Sequence, residues 1–236
     1  MNLLHIVVLD RDTLVNRPFD FNFPHTLSSY GTTEAHETLE RIRGADIVIT
    51  NKVVISAQAF AENPQLKLVA VTATGVNNVD VEAAKQNGTA VCNIRAYGNE
   101  SVAEHAFMMM ITLMRNLPAY QRDVAAGLWE NSPFFCHLGA PMRDLNGKTL
   151  AIFGRGNIGK TLATYAQAFK MNVVFAEHKN AQSVRDGYVS FDEAIRSADV
   201  VSLNCPLTPQ TANMIGEAEL QRMKPGAILI NCGRGG

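Results

Sequence analysis

The chain has 236 residues, 47% of them hydrophobic and 18% charged, and 21 Lys and Arg against 22 Asp and Glu leave a formal net charge of −1. This composition is globular, neither disordered nor membrane-like, and the balanced charge gives no general pull toward nucleic-acid phosphates or anionic lipid. There is no run of about 18 apolar residues, so no membrane span is expected. The four cysteines (Cys92, Cys136, Cys205, Cys232) form neither a CxxC pair nor a disulfide framework, which fits a cytoplasmic protein.

The opening MNLLHIVVLDRD has no basic n-region and reads as a first strand, not a signal peptide. Further short β-branched runs predict strands at 45–50, 66–73, 89–94, 149–154, 172–177, 199–204 and 227–231. They are near-continuous in hydrophobicity, as strands covered on both faces should be. Helical periods lie between them: EAHETLERIR, SAQAFAEN, DVEAAKQ, KTLATYAQAF, FDEAIRSA and GEAELQRM. Such alternation predicts an α/β fold with parallel sheets of right-handed βαβ units. One set of units covers residues 1–97, and the second starts near 148. Between them a helix is expected from Ser101 to about Arg115, its start marked by an S-x-x-E capping box of Ser101 and Glu104. Its stretch AFMMMITLM is apolar nearly all round, so burial on more than one side, between domains or subunits, is expected. A second helical segment, 119–129, and a connecting loop, 131–147, follow.

Gly154-Arg155-Gly156-Asn157-Ile158-Gly159 directly follows a predicted strand and opens a predicted helix. In that context G-x-G-x-x-G reads as a dinucleotide turn. Gly154 permits the tight turn, Gly156 lets the backbone approach a pyrophosphate, and Gly159 lets helix and strand pack closely. Free N–H groups at the helix start then face the phosphates. The bland alternative is a tight βα turn without a ligand. Glu177 ends the next strand, 18 residues after Gly159, where an acidic residue accepts hydrogen bonds from the adenosine ribose and repels a 2′-phosphate. His178 and Lys179 follow and partly offset that repulsion, so NAD is favoured and NADP not excluded. The alternative is a solvated charge at a strand end. Arg234 follows the strand 227–231 among glycines, at the strand end where ligands of open α/β sheets bind and where its planar fork suits a carboxylate. By composition alone a surface arginine in a flexible tail is the better reading.

The runs SVAEHAFMMMITLMRN, DLNGKTLAIFGRGNIGKTLA, NCPLTPQT and MKPGAILINCGRGG, with ATGVNNVD at 73–80, resemble the D-isomer-specific 2-hydroxyacid dehydrogenases over essentially the whole chain. ITNKV, AVCNIRAYG and FAEHK are most similar to the glycerate dehydrogenase (hydroxypyruvate reductase) branch. The resemblance implies two doubly wound parallel-sheet domains: a flavodoxin-like substrate domain at 1–97 and a Rossmann NAD-binding domain at 98–236. It implies that Arg234 is catalytic and grips the substrate carboxylate. Gly75 and Val76 hold the same group through backbone N–H groups. Thr74 meets the cofactor, Asn157 and Ile158 touch the pyrophosphate and Glu177 the ribose. Cys205, Pro206 and Cys232 border the nicotinamide side, and Val102 is an apolar ring contact.

The resemblance also implies an acid–base histidine paired with a glutamate, both after the arginine. Neither is present, so the chain is expected to be a C-terminally truncated member. It would lack the remaining nucleotide-domain strands and the helix that returns to the first domain, and it would be inactive by itself. Of the six histidines, His105 adjoins Glu104, but neighbours on a helix point about 100° apart and do not face one site. The other histidines suggest no pairing, and the methionine run 108–110 and the cysteine spacing suggest no metal site. The implied reaction is NAD-dependent interconversion of hydroxypyruvate and D-glycerate. The expected partners are a small 2-oxo or 2-hydroxy acid and a second copy of the chain through the 101–115 helix, with no nucleic acid or membrane. The alternative is a non-catalytic dinucleotide-binding or sensing module.

Overall fold

The computed structural model describes residues 3–14 and 18–233. The chain forms two compact units, residues 1–97 and 98–236. In the first, β1 (Leu4–Val8), β2 (His25–Ser29), β3 (Ile47–Thr50), β4 (Leu68–Val71) and β5 (Ala90–Asn93) form one parallel sheet in the order β2-β1-β3-β4-β5. The pleat sends alternate residues to opposite faces. Val7, Val48 and Val69 stand side by side in register on one face and join Phe60 and Leu66 in the main core. Ile6, Val8 and Ile49 occupy the other face beneath Phe19 and Phe21. Three short helices connect the strands: α1 (Thr38–Arg41), α2 (Ala57–Glu62) and α3 (Val81–Asn87). Ser56 and Asp80 cap α2 and α3 by accepting the N–H groups of Ala59 and Ala83.

In the second unit, β6 (Thr149–Phe153), β7 (Asn172–Ala176), β8 (Val200–Leu203) and β9 (Ile228–Asn231) form a parallel sheet in the order β7-β6-β8-β9. The chain winds one way from β6 to β7 and the other way to β8, so the sheet has a switch point at β6, where such sheets bind ligands. A one-residue bridge, Ala176 to Val189, extends the sheet beyond β7. The helices are α4 (Asn99–Met114), α5 (Leu117–Ala125), α6 (Asn157–Ala168), α7 (Phe191–Ser197) and α8 (Glu217–Arg222). Among the described residues, no helix is long and apolar enough to cross a membrane.

The fold differs from the sequence reading at five points. Strand β2 is absent from the predicted set because HTLSS has no apolar run; it is half exposed and held to β1 by main-chain pairing from Leu4–His25 to Val8–Ser29. Helix α4 starts earlier than its apparent capping box. Gly98 is the N-cap and its carbonyl accepts the Val102 N–H, so Ser101 lies inside the first turn. Within its own unit α4 buries a single stripe, Ala103, Ala106, Met110 and Met114, against α6 and β9, whereas Met108 and Leu113 stay exposed. The second helical segment spans 117–125, with Pro118 in its first turn, and residues 126–131 turn away from it. Trp129 lies there, half exposed and tilted against His137. His137, expected to have no partner, meets the Asp123 carboxylate at 2.8 Å.

The two cap assignments differ in cost. Asp80→Ala removes an N-cap acceptor and is expected to destabilise the first unit by about 1 kcal/mol. Ser101→Ala, inside α4, is expected to change stability by less than about 0.5 kcal/mol. Urea melts of both variants check this.

Candidate functional site

Strand β6 passes into α6 through the glycine turn. Gly154 has φ +108°, and a Cβ there would lie 2.8 Å from the Asn204 carbonyl, so the turn leans directly on the end of β8. A Cβ on Gly159 would lie 2.1 Å from the Gly154 oxygen and 3.1 Å from Ile152 Cγ2, so only glycine lets α6 start this close to β6. Gly156 is different: nothing lies within 4 Å of the position its Cβ would take. It is the N-cap of α6 and offers no side chain to the helix end. The N–H groups of Asn157, Ile158 and Gly159 donate to no group among the described residues. Three free donors at the positive end of a 12-residue helix, beside open space, form a site for an anion. The cradle fits a pyrophosphate.

A cavity of about 210 Å³ adjoins this turn at the carboxyl ends of β6, β7 and β8. Gly154, Arg155, Glu177, Arg185, Tyr188 and Cys205 are among its lining residues. Glu177 is not the solvated charge of the alternative reading, being only 3% exposed. Its carboxylate accepts the His178 N–H at 2.8 Å and the Arg185 N–H at 3.2 Å, and the Arg185 guanidinium grips both oxygens at 2.7 Å. The Arg185 fork, helped by these backbone donors, holds the Glu177 pKa down at about 2, well below 4.5.

The cation facing Glu177 is therefore not the one that adjacency in sequence indicates. Lys179 turns to Glu219 and the Met214 carbonyl, both at 3.0 Å, and the His178 side chain is exposed. Arg185 arrives because the chain folds back: Val189 pairs beside Ala176, and the intervening loop returns to the end of β7. Arg155 is also more than a spacer between glycines. Its guanidinium lies 4.8 Å from the Phe175 ring centre and 5.2 Å from that of Tyr188. An arginine in this motif with aromatic residues at 175 and 188 was the available signal for it.

The remaining candidates spread along the same sheet edge. Cys205 and Pro206 follow β8 and line the cavity, and Cys232 follows β9. Burial pushes both the Cys205 and Cys232 thiols up, so they stay protonated at neutral pH. Asn204 leaves its Oδ1 buried without a hydrogen-bond partner among the described residues, an acceptor that spacing alone did not single out. Val102 sits half buried in the first turns of α4. Arg234 lies outside the described residues.

In the first unit, Thr74, Gly75 and Val76 form the loop after β4. The N–H groups of Gly75 and Val76 donate to nothing among the described residues, and Asn93 fixes the loop by donating to the Thr74 carbonyl at 2.6 Å. The neighbouring β3 loop is organised by buried Asp10, which accepts the Asn51 N–H at 2.9 Å and the Lys52 N–H at 2.6 Å. Its place at the end of the first strand was the sequence signal for Asp10.

The profile of the D-isomer specific 2-hydroxyacid dehydrogenase NAD binding domain matches residues 107–236. A putative 2-hydroxyacid dehydrogenase of Haemophilus influenzae is 42% identical over 98% of this chain and 74% of its own. This chain belongs to the D-isomer-specific 2-hydroxyacid dehydrogenases. A glycerate dehydrogenase of Methylorubrum extorquens is 41% identical over 98% of this chain and 73% of its own length. A crystal structure of a Thermus thermophilus protein superposes with a TM-score of 0.79 at 29% identity, covering 98% of this chain and 74% of that one. The family's cofactor is NAD, and the uncapped α6 start and the acidic end of β7 suit it chemically.

The turn separates packing from binding. Gly159→Ala is expected to destabilise the second unit by about 1–3 kcal/mol through overpacking. Gly156→Ala is expected to leave the melting temperature almost unchanged and to weaken NADH binding by roughly tenfold. Denaturant melts and NADH titrations of both variants separate the effects.

Glu177 sets an acid dependence. Its folded pKa of about 2 lies below the ordinary 4.5, so its contribution to stability is present above 4.5 and is lost as pH falls toward 2. Glu177→Gln is expected to be less stable than the unmutated protein near neutral pH, with the difference vanishing by about pH 2. Melts across that range measure it.

Proposed function

We propose that this protein interconverts hydroxypyruvate and D-glycerate as an NAD-dependent dehydrogenase. The carrying observation is the uncapped start of α6 beside the Glu177 cavity, together with 41% identity to a glycerate dehydrogenase. Bound NADH would supply the hydride that reaches C2 of the 2-oxo acid.

In this reading the chain's own residues bind and orient. The N–H groups of Asn157 and Ile158 hold the pyrophosphate, with Gly154, Gly156 and Gly159 shaping the turn, and Glu177 takes the ribose. Cys205, Pro206, Cys232 and Val102 border the ring end, and Thr74 contacts the cofactor. Arg234 is the catalytic arginine: its planar fork grips the substrate carboxylate and orients the 2-oxo group. The N–H groups of Gly75 and Val76 serve the same carboxylate. Reduction of a ketone also needs a proton donor. His105 is exposed on α4, and His137 is held by Asp123 and is not among the residues lining the Glu177 cavity. Neither is assigned that role, and residues 1–236 alone are expected to bind NADH without turnover.

Two further parts of the reading concern the protein's setting. The exposed Met108 and Leu113 on α4 and an apolar groove lined by Phe107, Ile111, Leu117 and Phe169 support a homodimer built on the 101–115 helix. The four free thiols support a cytoplasmic location.

The test uses the protein that carries these residues together with any segment that follows them. Hydroxypyruvate is expected to give a higher kcat/KM with NADH than glyoxylate, pyruvate or 2-ketogluconate. Arg234→Lys is expected to lower kcat/KM about 10- to 150-fold, because a point charge replaces a two-pronged donor. A preference for another acid overturns the substrate assignment, and an unchanged kcat/KM overturns the role of Arg234.

A further inference from the structure

The Glu177 carboxylate is saturated. Its Oε1 accepts the His178 N–H and one Arg185 guanidinium N–H, and its Oε2 accepts the Arg185 N–H and Nε–H. A carboxylate has about four lone-pair positions, so no acceptor position is left for two ribose hydroxyls. Two of the four donors are backbone groups. The other two belong to one side chain, and the ribose diol also brings two donors. The exchange of fork for diol is two for two.

The exposures of the partners differ in the same sense. The Glu177 side chain is 3% exposed, whereas that of Arg185 is 54% exposed and rests on the Tyr188 ring, its guanidinium 4.2 Å from the ring centre. Arg185 can leave by moving over an aromatic surface into water, whereas Glu177 is fixed. Arg155 lies against the same ring. The cavity wall thus carries two guanidinium groups and one carboxylate. An acidic residue at the end of this strand normally excludes a 2′-phosphate by repulsion. Here that repulsion is cancelled at its source by an ion pair.

We propose that Arg185 is a cofactor-specificity residue, a latch that competes with the ribose diol for Glu177 and lends positive charge to a 2′-phosphate, so that the protein accepts NADPH beside NADH. This rests on the reading that the Glu177 cavity receives the adenosine ribose. Arg185 touches no reacting atom, and its effect is on the ratio of the two affinities rather than on chemistry.

The test measures binding of ADP-ribose and 2′-phospho-ADP-ribose to the full chain by calorimetry, for the unmutated protein, R185Q, R185K and E177Q. The unmutated protein is expected to bind both probes within about tenfold of each other. R185Q is expected to bind ADP-ribose about threefold more tightly and the 2′-phosphorylated probe about tenfold more weakly. R185K keeps the charge but not the fork, so it should tighten ADP-ribose and retain the phosphorylated probe; it also serves if R185Q does not fold. E177Q is expected to shift preference toward the phosphorylated probe. The proposal is overturned if R185Q changes the affinity ratio by less than about twofold. It is overturned too if R185Q weakens both probes equally, or if R185K fails to tighten ADP-ribose. If E177Q moves neither probe, or the unmutated protein binds neither, the ribose reading itself fails. If E177Q shifts the ratio and R185Q does not, the latch alone fails.

Discussion

The close approach of α6 to β6 is the constraint on which the second unit depends. A side chain at Gly159 would drive into the Gly154 carbonyl, so the helix starts directly above the strand end only because that side chain is absent. The approach leaves the first N–H groups of α6 at the point where the sheet changes winding direction. Gly154, resting on the Asn204–Cys205 backbone, brings the ends of β6 and β8 together, and Glu177 adds the end of β7. Three strand ends and one helix end thus converge. The anion site is a result of packing and needs no cationic side chain to form it.

The same edge of the sheet holds a buried carboxylate, which is costly unless its acceptors are filled. The loop after β7 fills them. Val189 pairs beside Ala176 and brings the chain back, so that the Arg185 main chain and side chain both reach Glu177. Tyr188 lies beneath the guanidinium. The bridge residue, the loop and the acidic strand end form one mutually dependent structure.

Hydrophobic run length made eight of the nine strands among the described residues legible, most clearly the central β1, β3, β6 and β8, because parallel strands buried on both faces cannot alternate with polar residues. Strand β2 escaped because an edge strand half open to solvent needs main-chain pairing rather than an apolar face. The start of α4 was misread because Ser and Glu at that spacing are also tolerated inside a first turn. Exposed Met108 and Leu113 show that an all-round apolar sequence does not fix how many faces its own unit covers. At the candidate site, the glycine spacing and the acidic strand end were readable from sequence. The partner of Glu177 was not: a residue eight positions on reaches it only through a folded loop, a tertiary fact that local spacing does not carry.

Trp129 is the chain's single tryptophan and it lies in the second unit, in the turn after α5 beside His137. Intrinsic fluorescence excited at the indole band therefore reports on one unit alone, whereas far-ultraviolet circular dichroism sums both. Denaturation curves recorded by the two probes coincide only if the units unfold together. A separation between them measures how independently the 1–97 unit, which has no indole of its own, loses its structure.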